Sequence, residues 1–366
     1  MERTTRPPFS ERLTDFWFNR GSPEFGPLLR LGLGILEMVF RLVIALRRAW
    51  SRAFSPPRVS GVRVVAIGNL VAGGAGKTPC TLALAAALKA RSIPFGIISR
   101  GYKSKAEKQA AQLVRPASLN TVTPEDIGDE PWLLCWRTQR PVIVGADRHA
   151  AVRLLKDTFP EVQVALLDDG LQQRSVAWTD SLVLIDQRGF GNGHCLPAGP
   201  LREPIDRLRE FDHWIDHDAP REITQRAPLP ASRGHLTQTN DRWVPVAHWQ
   251  DPSLWEDFSV GIDRARHQSI LAVAGIATPS RFFQTLSDQG LRFDTLALAD
   301  HATDLVGQTI RRWEEKSYDL VLMTEKDAVK FFHQPSPIND RAWALRRDAV
   351  LDADFLKRLL DGPKTS

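Results

Sequence analysis

Apolar residues in this chain form short runs that alternate with helix-like segments, after one longer apolar stretch near the N-terminus. The runs occupy residues 62–67, 93–98, 141–145, 162–167, 181–185, 269–274 and 320–323. They lack the strict alternation of a half-exposed strand, which is typical of strands buried on both faces. Helices between such strands favour parallel pairing. We therefore predict an α/β fold: a mostly parallel sheet of the P-loop NTPase type with helices on both faces, and a smaller C-terminal α/β portion.

Residues 27–54 are predicted to form one long amphipathic helix. Its charged residues leave no run of 18 apolar residues for a membrane span. At about 100° per residue, five of them fall on one narrow stripe, with apolar side chains around most of the remainder. The stripe contains Arg30, Glu37, Arg41, Arg48 and Arg52. Two interpretations fit equally well: the helix lies in a membrane interface with its arginines at anionic headgroups, or it packs on the protein core.

A length of 366 residues suggests about two domains. We predict an N-terminal helical segment over 1–55, a P-loop core over 56–220, and an irregular linker with a smaller α/β domain over 221–366. Three widely spaced cysteines argue against a disulfide scaffold or a zinc site. The net charge is +5, and nine arginines against five acidic residues place +4 of it within 1–55. No RNA-binding signature or zinc-finger spacing accompanies this charge, so nucleic acid is not expected as a partner.

The glycine-rich segment between the run at 62–67 and the helix-forming residues 81–88 predicts a nucleotide site. A strand, a glycine loop, Lys-Thr and a helix together surround phosphates with backbone N–H groups. Lys77 would reach the β and γ phosphates, and Thr78 would bind Mg²⁺. Val71 stands where the common G-x-x-x-x-G-K-[ST] pattern has glycine, so an ordinary strand-to-helix turn is the alternative. The predicted phosphate-binding residues are Val71, Ala72, Gly73, Gly74, Ala75, Gly76, Lys77 and Thr78.

Polar residues follow other predicted strands, at the sheet edge where α/β proteins bind ligands. Asp168 and Asp169 are predicted to hold Mg²⁺ or act on phosphate, the alternative being a helix cap. Asp129 either caps the helix after it or acts as a general base, and the sequence alone favours the cap. Arg100 and Arg148 each bind a phosphate or pair with a surface carboxylate.

Two further segments carry candidate residues. The glycine- and proline-rich loop 191–203 is predicted to bind substrate or act as a lid, and Glu203 joins the outer shell of a metal or stays solvated. His301 follows Asp300, and a lone histidine is more often structural than catalytic. The order Thr-Glu-Lys-Asp at 324–327 is not the [NT]-K-x-D order of guanine recognition, which argues against a GTPase.

Taken in order, these motifs resemble the tetraacyldisaccharide 4′-kinase (lipid A 4′-kinase) family over roughly residues 60–330. Each motif alone is weak, whereas the ordered set is highly specific. Val71 also stands where this family commonly lacks the first glycine. The motifs are Gly68-Asn-Leu, Ala72-Gly-Gly-Ala-Gly-Lys-Thr-Pro79, Ser99-Arg-Gly-Tyr102, Gly128-Asp-Glu-Pro131, Asp168-Asp-Gly-Leu-Gln172, Leu196-Pro-Ala-Gly-Pro200, Ala274-Gly-Ile-Ala277, Asp300-His301 and Thr324-Glu-Lys-Asp-Ala-Val-Lys330.

The resemblance implies a reaction and a location. ATP with Mg²⁺ would phosphorylate the 4′-hydroxyl of a lipid-linked glucosamine disaccharide 1-phosphate, giving the 1,4′-bisphosphorylated lipid A precursor. The enzyme would be peripheral or monotopic, on an anionic membrane surface at the cytoplasmic face of the Gram-negative inner membrane. The alternatives are a membrane-associated P-loop ATPase switch and a kinase for a soluble small molecule, although the latter leaves the apolar helix unexplained.

The resemblance also implies residue roles. Asp129 and His301 would act as a catalytic pair, which reverses the capping and structural interpretations, and Lys77 would assist them. Relatives often have histidine where this chain has Gln173, which puts a role for that histidine in doubt. The implied metal-site residues are Thr78, Asp168, Asp169 and Glu203, and the implied substrate-binding residues are Arg100, Tyr102 and Arg148.

Overall fold

The computed structural model describes residues 9–18, 25–53, 56–172, 175–239, 241–299, 302, 304–332 and 336–361. Its strands, in chain order, are β1 (Arg63–Asn69), β2 (Phe95–Ser99), β3 (Gln112–Val114), β4 (Val142–Val144), β5 (Val164–Leu167), β6 (Asp180–Asp186), β7 (His213–His217), β8 (Ser232–Gln238), β9 (Arg242–Pro245), β10 (Glu256–Asp257), β11 (Ile270–Ala274), β12 (Asp294–Ala297), β13 (Leu320–Thr324), β14 (Ala342–Arg346) and β15 (Ala349–Leu351).

Helices alternate with most of these strands, as an α/β fold requires. The helices are α1 (Phe9–Trp17), α2 (Pro27–Ala53), α3 (Lys77–Ala90), α4 (Pro124–Ile127), α5 (Asp129–Thr138), α6 (Arg148–Thr158), α7 (Arg221–Arg226), α8 (Phe258–Ala265), α9 (Pro279–Asp288), α10 (Leu305–Lys316), α11 (Glu325–Ala328) and α12 (Ala353–Asp361).

The strands of the described residues form two sheets. The larger has the order β15-β8-β7-β6-β1-β5-β2-β4-β3, and the smaller has the order β10-β9-β14-β13-β11-β12. Pairing in the larger sheet is parallel from β8 to β4 and antiparallel at both edges. The parallel strands carry their C-terminal ends to one edge of the sheet, where the polar residues of the glycine loop and the Asp-Asp pair meet.

Alternate residues of β1 enter separate apolar cores on the two faces of the larger sheet. Val65 and Ile67 belong to one core, and Val64 and Ala66 belong to the other. The first core continues into the smaller sheet, where it includes Leu271 of β11. Both faces of β1 are therefore covered, which explains its unbroken apolar run.

The stretch 217–258 is more regular than its sequence suggests, since it contains α7, β8, β9 and β10. Only Gly234 and Leu236 of β8 are buried, so this strand shows no sustained apolar pattern. Backbone pairing with β7 holds it in the larger sheet instead. The strand β15 joins the same sheet from the far end of the chain.

Helix α2 packs on the protein through a side that combines Glu37 and Arg48 of the charged stripe with the apolar Leu33 and Phe40. The Glu37 carboxylate is buried, accepts a hydrogen bond from the Cys195 amide at 2.9 Å and lies 2.8 Å from His194 Nδ1. Arg48 pairs with Glu210. The opposite, apolar face is exposed and includes Leu28, Leu31, Ile35, Met38, Val39, Leu42, Leu46 and Trp50. No helix in the described part of the chain is long and apolar enough to cross a membrane.

Candidate active site

The glycine loop leaves β1 at Asn69 and enters α3 at Lys77. Gly73 and Gly76 have φ angles of +89° and +85°, a region that side chains rarely adopt. A Cβ on Gly76 would lie 2.5 Å from His217 Nδ1, so glycine is required there. Within the described residues, the N–H groups from Gly73 to Gly76 have no hydrogen-bond acceptor in the protein. Such amides at a helix N-terminus can receive an anion.

The loop 191–203 is bonded along its backbone to the start of the glycine loop. The Ala72 amide donates to the Pro200 carbonyl at 2.8 Å, and the Arg202 amide donates to the Leu70 carbonyl at 2.7 Å. Val71 forms an isolated β-bridge with Leu201 and is buried. An extended, buried residue thus occupies the position where the common pattern has glycine.

Lys77 points to the carboxyl end of β5. Its ammonium lies 3.2 Å from the Asp169 carboxylate and donates to Asn69 Oδ1 at 3.3 Å. Arg202 also contacts Asp169, at 3.3 Å. Burial alone would raise the pKa of Asp169, but the two cations outweigh it and hold that pKa below its usual value. Asp169 is therefore an ionised carboxylate beside the Lys77 ammonium.

Asp168 lies deeper and is stabilised differently. Its carboxylate accepts a hydrogen bond from the Thr81 hydroxyl at 2.9 Å, one turn of α3 after Thr78. Burial raises the pKa of Asp168 to about 7, and the negative charges of Glu130 and Asp169 act in the same direction. A cation near this carboxylate would offset that cost.

The donors near the loop suit Mg²⁺, which prefers oxygen ligands and usually takes one or two carboxylates together with substrate phosphates. Thr78, Asp168 and Asp169 supply such oxygens. The Glu203 carboxylate instead pairs with Arg207, and both side chains are buried. In the part of the chain that the structure describes, no three His, Cys, Asp or Glu side chains group as a metal centre by themselves.

Asp129 is the first residue of α5, and Gly128 holds the N-cap position with φ +101°. The capping interpretation of Asp129 is therefore wrong, because the cap is the preceding glycine. Its carboxylate is 8% exposed and lies 3.3 Å from Lys330 Nζ, which also donates to the Ala302 carbonyl at 3.3 Å. His301, the predicted partner of Asp129, lies outside the described residues, as does Gln173.

Two more ion pairs join α5 to the segment at the end of β13. Glu130 contacts Lys326 at 3.2 Å, and Arg137 contacts Glu325 at 2.5 Å. Ion pairs thus occur at both ends of α5. Together with the Asp129–Lys330 pair, they join α5 to the segment that follows β13 of the smaller sheet.

The three predicted substrate residues have different surroundings. Arg148 is fully buried, donates to the Gly145 carbonyl, and its Nε has no partner among the residues that the structure describes. Burial lowers the pKa of Arg148 to about 10, against the opposing effect of Asp168. Arg100 pairs with Glu107 at 2.7 Å, and Tyr102 is 51% exposed. The surface-pair interpretation thus fits Arg100 and does not fit Arg148.

Sequence reasoning missed several residues that hold these groups in place: Asn69, Thr81, Arg188, Arg202 and Lys330. Asn69 and Lys330 lie inside the recognised motifs, and Thr81 is one helical turn beyond Thr78. Their positions in the sequence could therefore have suggested that they lie near the site. Contacts such as that of Thr81 with Asp168 connect residues far apart in the chain, and no local sequence pattern predicts them.

Comparison with known proteins gives one consistent family. The model of the family described as Tetraacyldisaccharide-1-P 4′-kinase matches residues 29–363. The chain is similar to the tetraacyldisaccharide 4′-kinases of Herminiimonas arsenicoxydans (36% identical, over 99% of this chain and 97% of the relative) and Janthinobacterium sp. strain Marseille (38%, over 96% and 95%). The kinase of Leptothrix cholodnii is 40% identical over 83% of both chains.

A solved structure shows the same fold. The crystal structure of LpxK from Aquifex aeolicus in complex with ATP superposes with a TM-score of 0.71 at 23% identity, covering 91% of this chain and 98% of that one. The predicted α/β fold and the predicted family are both confirmed. The chain belongs to the tetraacyldisaccharide-1-P 4′-kinase family.

Proposed function

We propose that this chain transfers the γ-phosphoryl group of ATP to the 4′-hydroxyl of a tetraacyldisaccharide 1-phosphate, giving the bisphosphorylated lipid A precursor. The observation that carries the proposal is the meeting of two parts at one sheet edge. One part is the glycine loop, whose N–H groups from Gly73 to Gly76 have no acceptor among the described residues, with Lys77 and the Asp168–Asp169 pair. The other is Asp129, which an ion pair links to Lys330 in the segment after β13.

In this proposal the loop amides and Lys77 neutralise charge on the β and γ phosphates as the phosphoryl group leaves. Asp129 accepts the proton of the attacking hydroxyl, with His301 as its partner. The Lys330 ammonium, 3.3 Å from the Asp129 carboxylate, helps to hold it in position. In the same proposal, Arg148 meets a phosphate oxygen, and Arg100 and Tyr102 meet the acceptor.

Mg²⁺ held by Thr78, Asp168 and Asp169 would neutralise phosphate charge when bound. Thr81 orients Asp168 for that role, and we expect Thr81→Val to raise the Mg²⁺ concentration needed for half-maximal rate by about ten-fold or more. Initial rates across a Mg²⁺ titration measure this. Thr309→Val is the matched control, since its buried hydroxyl donates only to the Leu305 carbonyl of its own helix at 2.8 Å. An unchanged Mg²⁺ requirement in Thr81→Val would remove Asp168 from the metal site.

We further propose that α2 lies on the cytoplasmic leaflet of the inner membrane with its exposed apolar face among the acyl chains. The support is its orientation: the side that carries Glu37 and Arg48 packs on the protein, and the face turned away is apolar, with Leu28 at 84% and Met38 at 73% exposure. Exposed apolar area of this extent on one helix is typical of interfacial anchoring. Arg30 and Arg41, both exposed at the margin of this face, would meet anionic headgroups.

The double variant Leu42→Asp, Leu46→Asp tests this anchor. We expect its binding to vesicles of phosphatidylethanolamine and phosphatidylglycerol to fall by about 100-fold or more, because each leucine loses about 1.5–3 kcal/mol of burial. Vesicle co-sedimentation measures the loss. Leu254→Asp with Val260→Asp is the control, since both residues are exposed apolar side chains away from α2. Equal loss in both double variants, or none in the first, would contradict the proposal.

Incubation of the protein with radiolabelled ATP and the disaccharide lipid tests the reaction itself. Label in the lipid, at the 4′ position, is the expected result. ATP hydrolysis with no labelled lipid, together with nucleotide-dependent association, would favour a switch ATPase instead. Label in a water-soluble acceptor in preference to the lipid would favour a kinase for a small molecule.

A further inference from the structure

Arg188 lies against the glycine loop from the side of β6 and contacts it at two points. Its Nη1 donates to the Ala72 carbonyl at 3.2 Å, and its Nη2 donates to the Gly74 carbonyl at 2.8 Å. The third arm, Nε, donates to the Asp186 carboxylate at 2.9 Å. The Arg188 side chain is 6% exposed and that of Asp186 is 1% exposed. One planar guanidinium thus connects the end of β6 to alternate carbonyls of the loop.

These contacts determine which way the loop amides face. A trans peptide places its N–H opposite its C=O. With the carbonyls of Ala72 and Gly74 turned toward Arg188, the N–H groups of Gly73 and Ala75 turn away from it. Those are two of the amides that have no acceptor within the described residues. The guanidinium therefore holds the loop with its donors aimed to the side where a phosphate would lie.

We propose that Arg188 is a positioning residue for nucleotide binding: it clamps the carbonyls of Ala72 and Gly74 so that the N–H groups of Gly73 and Ala75 are pre-aligned for the phosphates of ATP. This proposal depends on the proposed function in one respect only, namely that ATP binds at this loop. Arg188 acts through the backbone and touches no substrate. Pre-alignment raises affinity because the flexible glycines no longer lose conformational freedom when the nucleotide binds.

The Asp186 carboxylate that anchors Arg188 is also contacted by a helix of the smaller α/β portion. Arg281 of α9 lies 3.6 Å from the Asp186 carboxylate that anchors Arg188. A Cβ on Gly73 would lie 3.3 Å from Arg188 Nη1 and 3.7 Å from the Ala277 Cβ. Residues of the Ala274–Ala277 motif therefore lie against the outer side of the loop, next to the clamp. The positions of the two sheets and the shape of the loop are linked at Asp186.

Arginine is required by this geometry. Lysine carries the same charge on a single ammonium, which cannot reach two carbonyls and a carboxylate in one plane. The proposal therefore predicts that Arg188→Lys weakens ATP binding by about ten-fold or more, and that Arg188→Gln weakens it at least as much. Affinity for the disaccharide lipid should stay near the wild-type value in both variants.

The matched control is Arg63→Gln. Arg63 forms a bidentate pair with Asp180, at 2.7 and 2.8 Å, between the opposite ends of the same strands β1 and β6. Its loss should lower the thermal midpoint without changing ATP affinity. Titration of the full-length protein with a fluorescent, non-hydrolysable ATP analogue measures affinity, and thermal unfolding measures stability. ATP affinity in Arg188→Lys within about two-fold of wild type would overturn the clamp.

Thermal unfolding of the variants distinguishes the clamp from a purely structural role of Arg188. Arg188→Gln with a lower thermal midpoint but normal ATP affinity would show a structural role only and would refute the clamp. If Arg188→Gln fails to fold, Arg188→Lys carries the test. Because nucleotide binding is measured without acceptor, tight ATP binding by the wild type without lipid phosphorylation would refute the proposed reaction and leave the clamp to be judged on its own.

Discussion

Replacing Asp129 with asparagine is expected to lower the rate of phosphoryl transfer by about 10²- to 10⁴-fold, with ATP affinity nearly unchanged. Asparagine keeps the size of the side chain and removes its ability to accept the proton of the hydroxyl. Asp129 is buried at the start of α5, close to the Lys330 ammonium, so its carboxylate is held in place rather than free to swing. Single-turnover transfer to the disaccharide lipid, with enzyme in excess, isolates the chemical step.

Asp126→Asn is the matched control. This carboxylate belongs to the preceding short helix α4, is partly exposed, and pairs with Lys105 at 2.8 Å. Its loss removes a capping interaction with Thr123 and should cost about 1 kcal/mol of stability without changing the single-turnover rate. A rate for Asp129→Asn within a few-fold of the control would show that another group accepts the proton.

Replacing Lys77 with methionine is expected to lower kcat/KM for ATP by about 10²- to 10³-fold. Methionine preserves the length and packing of the side chain but removes the ammonium that would meet the β and γ phosphates. The same change removes one of the two cations that pair with the Asp169 carboxylate. The negative charge of Asp169 then repels the nucleotide more strongly. Both effects act against the anionic ligand. Steady-state rates and equilibrium binding of the ATP analogue separate the loss in affinity from the loss in turnover.

Lys89→Met provides the comparison for Lys77. Lys89 lies in the last turn of the same helix α3 and is exposed. Its replacement changes the net charge by the same amount as Lys77→Met but does not alter the glycine loop. Nucleotide binding should then be close to that of the wild type. Similar losses in both variants would mean that Lys77 contributes only to the overall charge, and the loop would lose its assignment as the phosphate site.

Much of the fold could be predicted from local pattern. The run at 162–167 becomes β5 and the run at 181–185 becomes β6, because strands buried on both faces need apolar side chains at nearly every position. The helix predicted over 27–54 is α2, which ends at Ala53. By contrast, β8 was not predicted. It lies next to an edge strand and buries only two residues, so backbone hydrogen bonds to its neighbours stabilise it, and these do not depend on a particular side-chain pattern. The three-part division of the chain remains a prediction.

The site shows the same contrast. The glycine loop was visible because positive φ angles and close approach to His217 demand glycine at particular positions. The hydrogen bond from Thr81 to Asp168 and the clamp of Arg188 on the loop were not visible, because each joins residues about 90 to 120 positions apart. The roles of Asp129, His301 and the other predicted site residues stay predictions, and the experiments above address them.

The sequence by itself determined the α/β class, the phosphate loop and the family, since these depend on local backbone requirements and on an ordered set of short motifs. Only the tertiary structure decided how α2 is turned. The periodicity places charged and apolar residues on opposite faces, and either face can pack in principle. Contacts of Glu37 with the loop at 194–195 and of Arg48 with Glu210 direct the side that carries these two charges inward. Because buried charges need partners and those partners lie more than 150 residues away, the choice of face is made by the folded chain alone.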